Sequence, residues 1–366
     1  MTMSTHNADN ERVKRRFFTY LKEAARYSEE SVDAAAAALA RFEQHTRHRD
    51  FRRFHFEQAI AFKKSLVEQP SPATGKPPSK ATAKAILGHL HRFFFWLAGQ
   101  SGYKSRFTYT DADYFNLSEK DCRVASASRP RPVPTLEQLH HVLAPMPADS
   151  LIERRNRAVF AFILLTGARD SAVASFRLKH VDLANGSVFQ DARDVRTKFS
   201  KTFTTCFFPV GGQAQEILVD WVNTLRKDLL WGEDDPLFPA TRTPLGANGQ
   251  FEGVGFDRKP WADAGPIRAI FRAAFAAAEL PYFNPHRVRD TLVRLGQAQC
   301  KSPEEMKVWS QNLGHSKVLT TLTSYGNVPF ERQAEIFRGF QTEVRSGGLD
   351  EDAYQMILGA LQAVRR

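Results

Sequence analysis

The 366-residue sequence has little of what several classes of protein are built from. Its three cysteines, Cys122, Cys206 and Cys300, lie far apart and make no C-x-x-C pair. This speaks against a disulfide framework or a zinc ribbon and for a reducing compartment. No apolar run reaches the roughly 18 residues of a membrane span. The longest, Ala158 to Leu165, fits one buried helix, and Met1 to Asn10 is polar, without the apolar core of a secretory signal. The expectation is a soluble, cytoplasmic protein with no membrane partner. There is no Walker motif and no acidic cluster of metal-ligand character, and His45 and His48 lack cysteine or carboxylate companions. No metal or other cofactor is therefore expected. Internal repeats and long low-complexity segments are also missing.

What is present describes a folded protein. Hydrophobic residues make up 42% and charged residues 25% of a chain long enough for two domains, each with its own core. A net charge of +11 and a pI near 9.6 favour an anionic partner, most simply nucleic acid. Charge alone leaves ribosomal, membrane-surface and heparin-type binding open.

Helical patterning dominates. Residues 12–27 read as a basic-flanked amphipathic helix, and Ser28 caps a second with Val32, Ala35, Leu39 and Phe42 at helical spacing. The arginine- and histidine-rich segment His45 to Arg53 reads as a solvated loop or as a phosphate-contacting turn. A third helix covers about 54–69, and Ser79 caps a fourth whose apolar side carries Leu87, Leu90, Phe93, Phe94 and Leu97. Lys80, Lys84, His91 and Arg92 lie on or near its other face, and Phe93 to Trp96 read as core rather than as a base-stacking platform. The proline-punctuated stretch 122–134 is the best boundary, giving a helical domain over 1–125, a linker over 126–134 and a second domain over 135–366. In that second domain, helices are expected over 135–144, 152–166, 213–229 and 266–278. Val181-Asp182-Leu183, Asn185-Gly186, Ser187 to Phe189 and Phe203 to Val210 spell a small hairpin-built sheet. Residues 232–265 read as irregular.

Chemistry-bearing residues collect in order along this second domain. Gly167 ends the apolar helix, so Arg169 emerges beside the core, either as a surface arginine on the last helix carbonyls or pointing into a cleft. Lys201 stands in Ser200-Lys201-Thr202 on the hairpin, with Lys198 as its rival. His286-x-x-Arg289, Leu313-Gly314-His315 and Tyr325 follow. Arginine clamps phosphate oxygens, histidine moves protons and tyrosine is a nucleophile: side chains that suit attack on a phosphodiester without a metal.

The order Arg169, Lys201, His286, Arg289, His315, Tyr325 resembles the tyrosine site-specific recombinases, the phage integrase family, over about 135–330. The resemblance implies a mainly α protein: a SAM-like helical core-binding domain, then a mostly helical catalytic domain with a small antiparallel sheet, the DNA breaking-rejoining fold. It implies that Arg169 and Arg289 grip the scissile phosphate of double-stranded DNA while Tyr325 attacks it, giving a 3′-phosphotyrosyl intermediate. Lys201 would protonate the leaving 5′-oxygen, His286 would accept the tyrosine proton and His315 would hydrogen-bond the phosphate. A homo-oligomer is implied, a tetramer in the synaptic complex, and a final helix over 349–366 would fold back on its own domain or dock on a neighbouring protomer. The sequence departs from the family at Ala172, where an acidic residue is usual, at Asp290, often a histidine, and in the His315–Tyr325 spacing, one longer than the commonest. Two other readings stand beside this one. A type IB topoisomerase resembles the arrangement but typically carries lysine where His286 stands, and a DNA-binding accessory protein could keep the site in vestigial form.

Overall fold

The structure is a computed structural model that describes residues 6–68, 70, 75–127, 132–243 and 255–315. Packing divides the chain into two compact units, Met1–Arg129 and Pro130–Arg366.

The first unit is helical, with α1 (Ala8–Thr19), α2 (Glu29–His45), α3 (Phe56–Glu68), α4 (Lys80–Ala98), α5 (Tyr109–Ala112) and α6 (Glu119–Ser126). Each long helix turns its apolar stripe inward, and the core is a phenylalanine cluster of Phe17, Phe42, Phe51, Phe62, Phe93, Phe94 and Phe115, all fully buried. The rings meet mostly edge to face, as Phe42 does with Phe94 at 5.3 Å and 74°, the geometry that ring quadrupoles favour. Phe93 and Phe94 are core as expected, whereas Phe95 is exposed.

Two features of this unit differ from the sequence reading. Helix α6 runs to Ser126, into the stretch read as boundary, because Ser118 caps it and Lys80 and Lys84 of α4 bond Asp121 and Ser126. The basic flank of α4 is accordingly spent within the unit: His91 meets Asp113 at 2.9 Å and Arg92 lies over the Tyr27 ring. The arginine-rich turn, by contrast, is held firmly from below. Buried Asn10 accepts the Phe51 N–H and donates to Arg49 O and Glu43, each at 3.0 Å, while Arg47 and His48 take positive φ.

The second unit contains α7 (Leu136–Leu143), α8 (Leu151–Thr166), α9 (Asp170–Val173), β1 (Val181–Asp182), β2 (Ser187–Gln190), β3 (Phe203–Cys206), α10 (Gly212–Asn223), β4 (Pro239–Thr241), β5 (Phe256–Pro260), α11 (Gly265–Ala277), α12 (His286–Gln299) and α13 (Pro303–Asn312). Helix α8 is the spine: Ala158 to Leu165 are all buried, as an apolar run without a polar face requires. Strands β1, β2 and β3 pair antiparallel in that order, with Val181 opposite Val188 and Phe189 opposite Thr204.

Residues 232–265 are not irregular throughout, since β4 and β5 form a second antiparallel sheet. What holds it is far away in sequence. Arg155 of α8 donates to Pro239 O at 2.8 Å and Thr241 Oγ1 at 2.9 Å, and its guanidinium lies over Phe256 and Trp261. Among the described residues no helix is long and apolar enough to cross a membrane. The final helix read over 349–366 lies outside the described residues.

Candidate active site

Three chain reversals place the candidate side chains. The first ends α8. Gly167 takes φ 58°, its N–H bonds Ile163 O at 2.8 Å, and the chain leaves as extended backbone at Arg169, the residue that caps α9. A Cβ on Gly167 would sit 2.9 Å from Leu292 and 3.2 Å from Leu313, so the reversal packs directly against α12 and the end of α13. Only glycine meets both demands.

The second is the β2–β3 hairpin. Thr202 Oγ1 accepts the Ala192 N–H at 3.1 Å and closes its base, and Phe199 and Ser200 both take positive φ at its tip. Lys201 is half-buried just ahead of β3. Lys198 is exposed and lies over the Phe199 ring at 5.0 Å, so the two candidate lysines occupy different surroundings.

The third ends α13. Gly314 takes φ 73°, its N–H bonds Gln311 O at 2.7 Å, and the His315 N–H bonds Ser310 O at 3.1 Å. These are the two bonds of a Schellman motif, in which the residue after the left-handed glycine is aimed by the helix itself. That residue is His315, buried to 6% exposure.

Helix α12 supplies the remaining pair. His286 stands at its exposed first position and Arg289, one turn on, points inward and is 2% exposed. The Arg289 guanidinium joins the first and third reversals. Nη1 donates to Gly167 O, and Nη2 donates to Leu313 O at 2.6 Å and to His315 Nε2 at 3.1 Å. Arginine has no acceptor, so Nε2 must receive this bond and the proton of a neutral His315 resides on Nδ1.

Electrostatics bring the five residues together. Burial, and then the charges of Arg289, Arg169, Lys201 and His286, push the His315 pKa down to about 4. His286 is also held below the usual imidazole value, first by desolvation and then by Arg289, with Arg169 and Arg287 adding to it and Asp290 opposing. Asp290 is itself bonded by Arg287, one turn back on the same helix. Asp170, the acidic residue nearest Arg169 in sequence, faces away to pair with Arg268 at 2.7 Å, and Ala172 is buried. The cluster therefore sets two arginines and a lysine around two imidazoles whose pKa values are both lowered. An anion with several oxygens is the ligand such a site stabilises most.

The structure thus gathers Arg169, Lys201, His286, Arg289 and His315; Tyr325 lies outside the described residues. Sequence reading named Thr202 but not the bond by which it closes the hairpin, and it missed Gly314 as a packing residue and Asn312 altogether. Asn312 bonds the backbone of Cys206 through both ends of its amide, at 2.7 and 2.9 Å. A polar residue just ahead of the glycine that ends a helix was its one faint signal.

Comparisons with known proteins bear on the fold. No family model matches the chain. Tyrosine recombinase XerC of Halalkalibacterium halodurans is 23% identical over 202 residues, taking in 55% of this chain and 59% of that protein. Tyrosine recombinase XerC of Pseudomonas putida is 26% identical over 206 residues, taking in 55% and 58%. The chain therefore matches less than two thirds of the length of either relative. In structure, a lambda integrase dimer bound to a COC′ core site aligns with a TM-score of 0.60 and 15% identity, covering 89% of this chain and 81% of that one. The mainly helical fold with its small antiparallel sheet is thus one this chain shares with a DNA-bound lambda integrase. More particularly, the curated relatives are tyrosine recombinases and this structural neighbour is an integrase, so the resemblance to the integrase family read from the sequence is borne out.

Proposed function

We propose that this protein is a site-specific DNA recombinase that cuts and rejoins double-stranded DNA through a 3′-phosphotyrosyl intermediate. The observation that carries the proposal is the convergence of Arg169, Lys201, His286 and Arg289 on His315. In this reading the phosphodiester occupies the cationic cluster, and Arg169 and Arg289 stabilise the charge that grows on its non-bridging oxygens. Tyr325 Oη bonds to phosphorus as the bond to the 5′-oxygen breaks. His286, neutral because its pKa is lowered, accepts the tyrosine proton, and Lys201 donates one to the leaving oxygen. His315, whose Nε2 already receives Arg289, offers Nδ1–H to a phosphate oxygen.

Attack by a 5′-hydroxyl on the phosphotyrosine reverses these steps. The ester energy is kept in the covalent link, so the proposed cycle draws on no nucleotide. A lambda integrase neighbour is a dimer and another is a tetramer bound to a Holliday junction. Oligomeric action on DNA, a tetramer at synapsis, belongs to the same proposal.

The test is chemical. The purified chain is incubated with supercoiled plasmid carrying the DNA that flanks its gene, the reaction is quenched in detergent, and protein–DNA adducts are mapped by sequencing. The proposal expects adducts on 3′ ends at discrete positions, with free 5′-hydroxyls that a polynucleotide kinase labels. Absence of any adduct, or 5′-linked adducts, would contradict it.

A further inference from the structure

We infer that Asn312 is a positioning residue for the proposed general acid, setting Lys201 against His315 by clamping the edge of the sheet to the end of α13. The inference rests on the recombinase reading and adds a residue to its machinery.

Among the described residues strand β3 lies at the edge of the three-stranded sheet, and one side of its backbone faces no strand there. Asn312 fills that role over one residue. Its Oδ1 accepts the Cys206 N–H at 2.7 Å and its Nδ2 donates to Cys206 O at 2.9 Å, the pair of bonds a neighbouring strand would make. Its own carbonyl accepts from Thr205 Oγ1 at 3.0 Å. Thr205 is completely buried and also receives Gln190 Nε2 of β2 at 3.1 Å, which carries the clamp into the sheet.

A third contact lies further along the strand. A Cβ on Gly314 would come within 2.5 Å of the Phe203 ring, so that ring lies flush on the turn that aims His315. The seam between β3 and the end of α13 thus grips at Phe203, Thr205 and Cys206, and Lys201 precedes the first of these by two residues. At the hairpin tip Phe199 and Ser200 are non-glycine residues in the left-handed region, a geometry their own backbones disfavour and that contacts elsewhere must hold. The Asn312 seam, rather than the tip, sets where the Lys201 ammonium falls relative to His315.

A 5′-bridging sulfur separates this role from a general structural one. When that sulfur replaces the scissile oxygen, Tyr325 Oη still bonds to phosphorus, but the P–S bond breaks and sulfur keeps the electron pair. A thiol has a pKa of about 8.5, so the thiolate leaves without a proton from Lys201. Duplexes with oxygen or sulfur at a mapped cleavage position are compared for wild type, Lys201→Ala, Asn312→Ala and Thr205→Val, with thermal melting of each variant.

The expected result is that Asn312→Ala slows adduct formation on the oxygen substrate by about tenfold to a hundredfold, the cost of a misplaced catalytic group. On sulfur it should return to within about threefold of wild type, as Lys201→Ala does. Equal slowing on both substrates, or no slowing on oxygen, would overturn the inference while leaving the recombinase reading intact. Should Asn312→Ala fail to fold, Thr205→Val, which loses one bond of the seam, decides by the same oxygen-to-sulfur ratio. Wild-type protein that forms no adduct on either duplex overturns the recombinase reading and this inference with it.

Discussion

Arg289 Nη2 donates to His315 Nε2 across 3.1 Å, and the same nitrogen donates to Leu313 O at 2.6 Å. One buried side chain on α12 therefore orients the imidazole and holds the turn that presents it. Through Nη1 and Gly167 O it also holds the helix end from which Arg169 emerges. These bonds use three of the five guanidinium N–H groups.

Arg289→Lys is expected to be far from conservative. A single ammonium cannot span Gly167 O, Leu313 O and His315 together, and each buried carbonyl left unsatisfied costs about 1–3 kcal/mol. Thermal unfolding should show a lowered Tm. Adduct formation should fall by about 10²–10³-fold, as for loss of one preorganised oxyanion donor. A variant with wild-type rate and Tm would mean that the three-way bond does not organise the site.

The pH dependence of stability follows from His315. Its folded pKa is about 4, below the roughly 6.5 of an unfolded imidazole. Between these values the unfolded chain binds a proton that the folded chain does not, so stability is complete above about pH 6.5 and declines as pH falls toward 4. His286 is shifted in the same direction. Urea midpoints measured at pH 7.5 and 5 should differ less in His315→Gln than in wild type. An equal difference in both would show that His315 is not buried beside the cations.

Gly314→Ala should damage the site through its neighbours. The φ of 73° is costly for a side chain, by about 1–2 kcal/mol, and the new Cβ would run into the Phe203 ring. Stability and adduct formation should both fall. Adding Phe203→Leu should recover part of the loss, because it relieves the collision and leaves the backbone strain. If the double variant is no better than Gly314→Ala, packing on Phe203 is not the cause.

Much of this arrangement was legible in the sequence because it depends on local signals. A helix stopped by Gly167, a hairpin marked by Asn185-Gly186 and a glycine before His315 each announce where a chain reversal puts the next residue. What escaped depends on distant partners. The β4–β5 sheet has short strands far apart in sequence and is held by Arg155, a buried arginine in the polar first half of α8, where its neighbours in sequence are also charged or polar. Spacing put Lys80 and Lys84 on or near the outer face of α4, yet both bond to α6. Asn312 reveals its role only once an edge strand is laid beside it.

Asp170 tests the departure at Ala172. Its carboxylate faces Arg268 on α11, and exposed pairs of this kind contribute about 0–1 kcal/mol. Asp170→Asn should therefore leave adduct formation within about twofold of wild type. A loss of tenfold or more would show that Asp170 supports Arg169 during the reaction.

The central claim is that a tyrosine joins this cationic cluster as the nucleophile, and the most direct measurement identifies the attached residue. Adduct trapped on cleaved DNA is digested with nuclease and protease, and the nucleotide-bearing peptide is sequenced by mass spectrometry. The result expected is attachment at Tyr325, with no adduct from Tyr325→Phe. Attachment at Tyr282, Tyr354 or any other residue, or an adduct that persists in Tyr325→Phe, would contradict it.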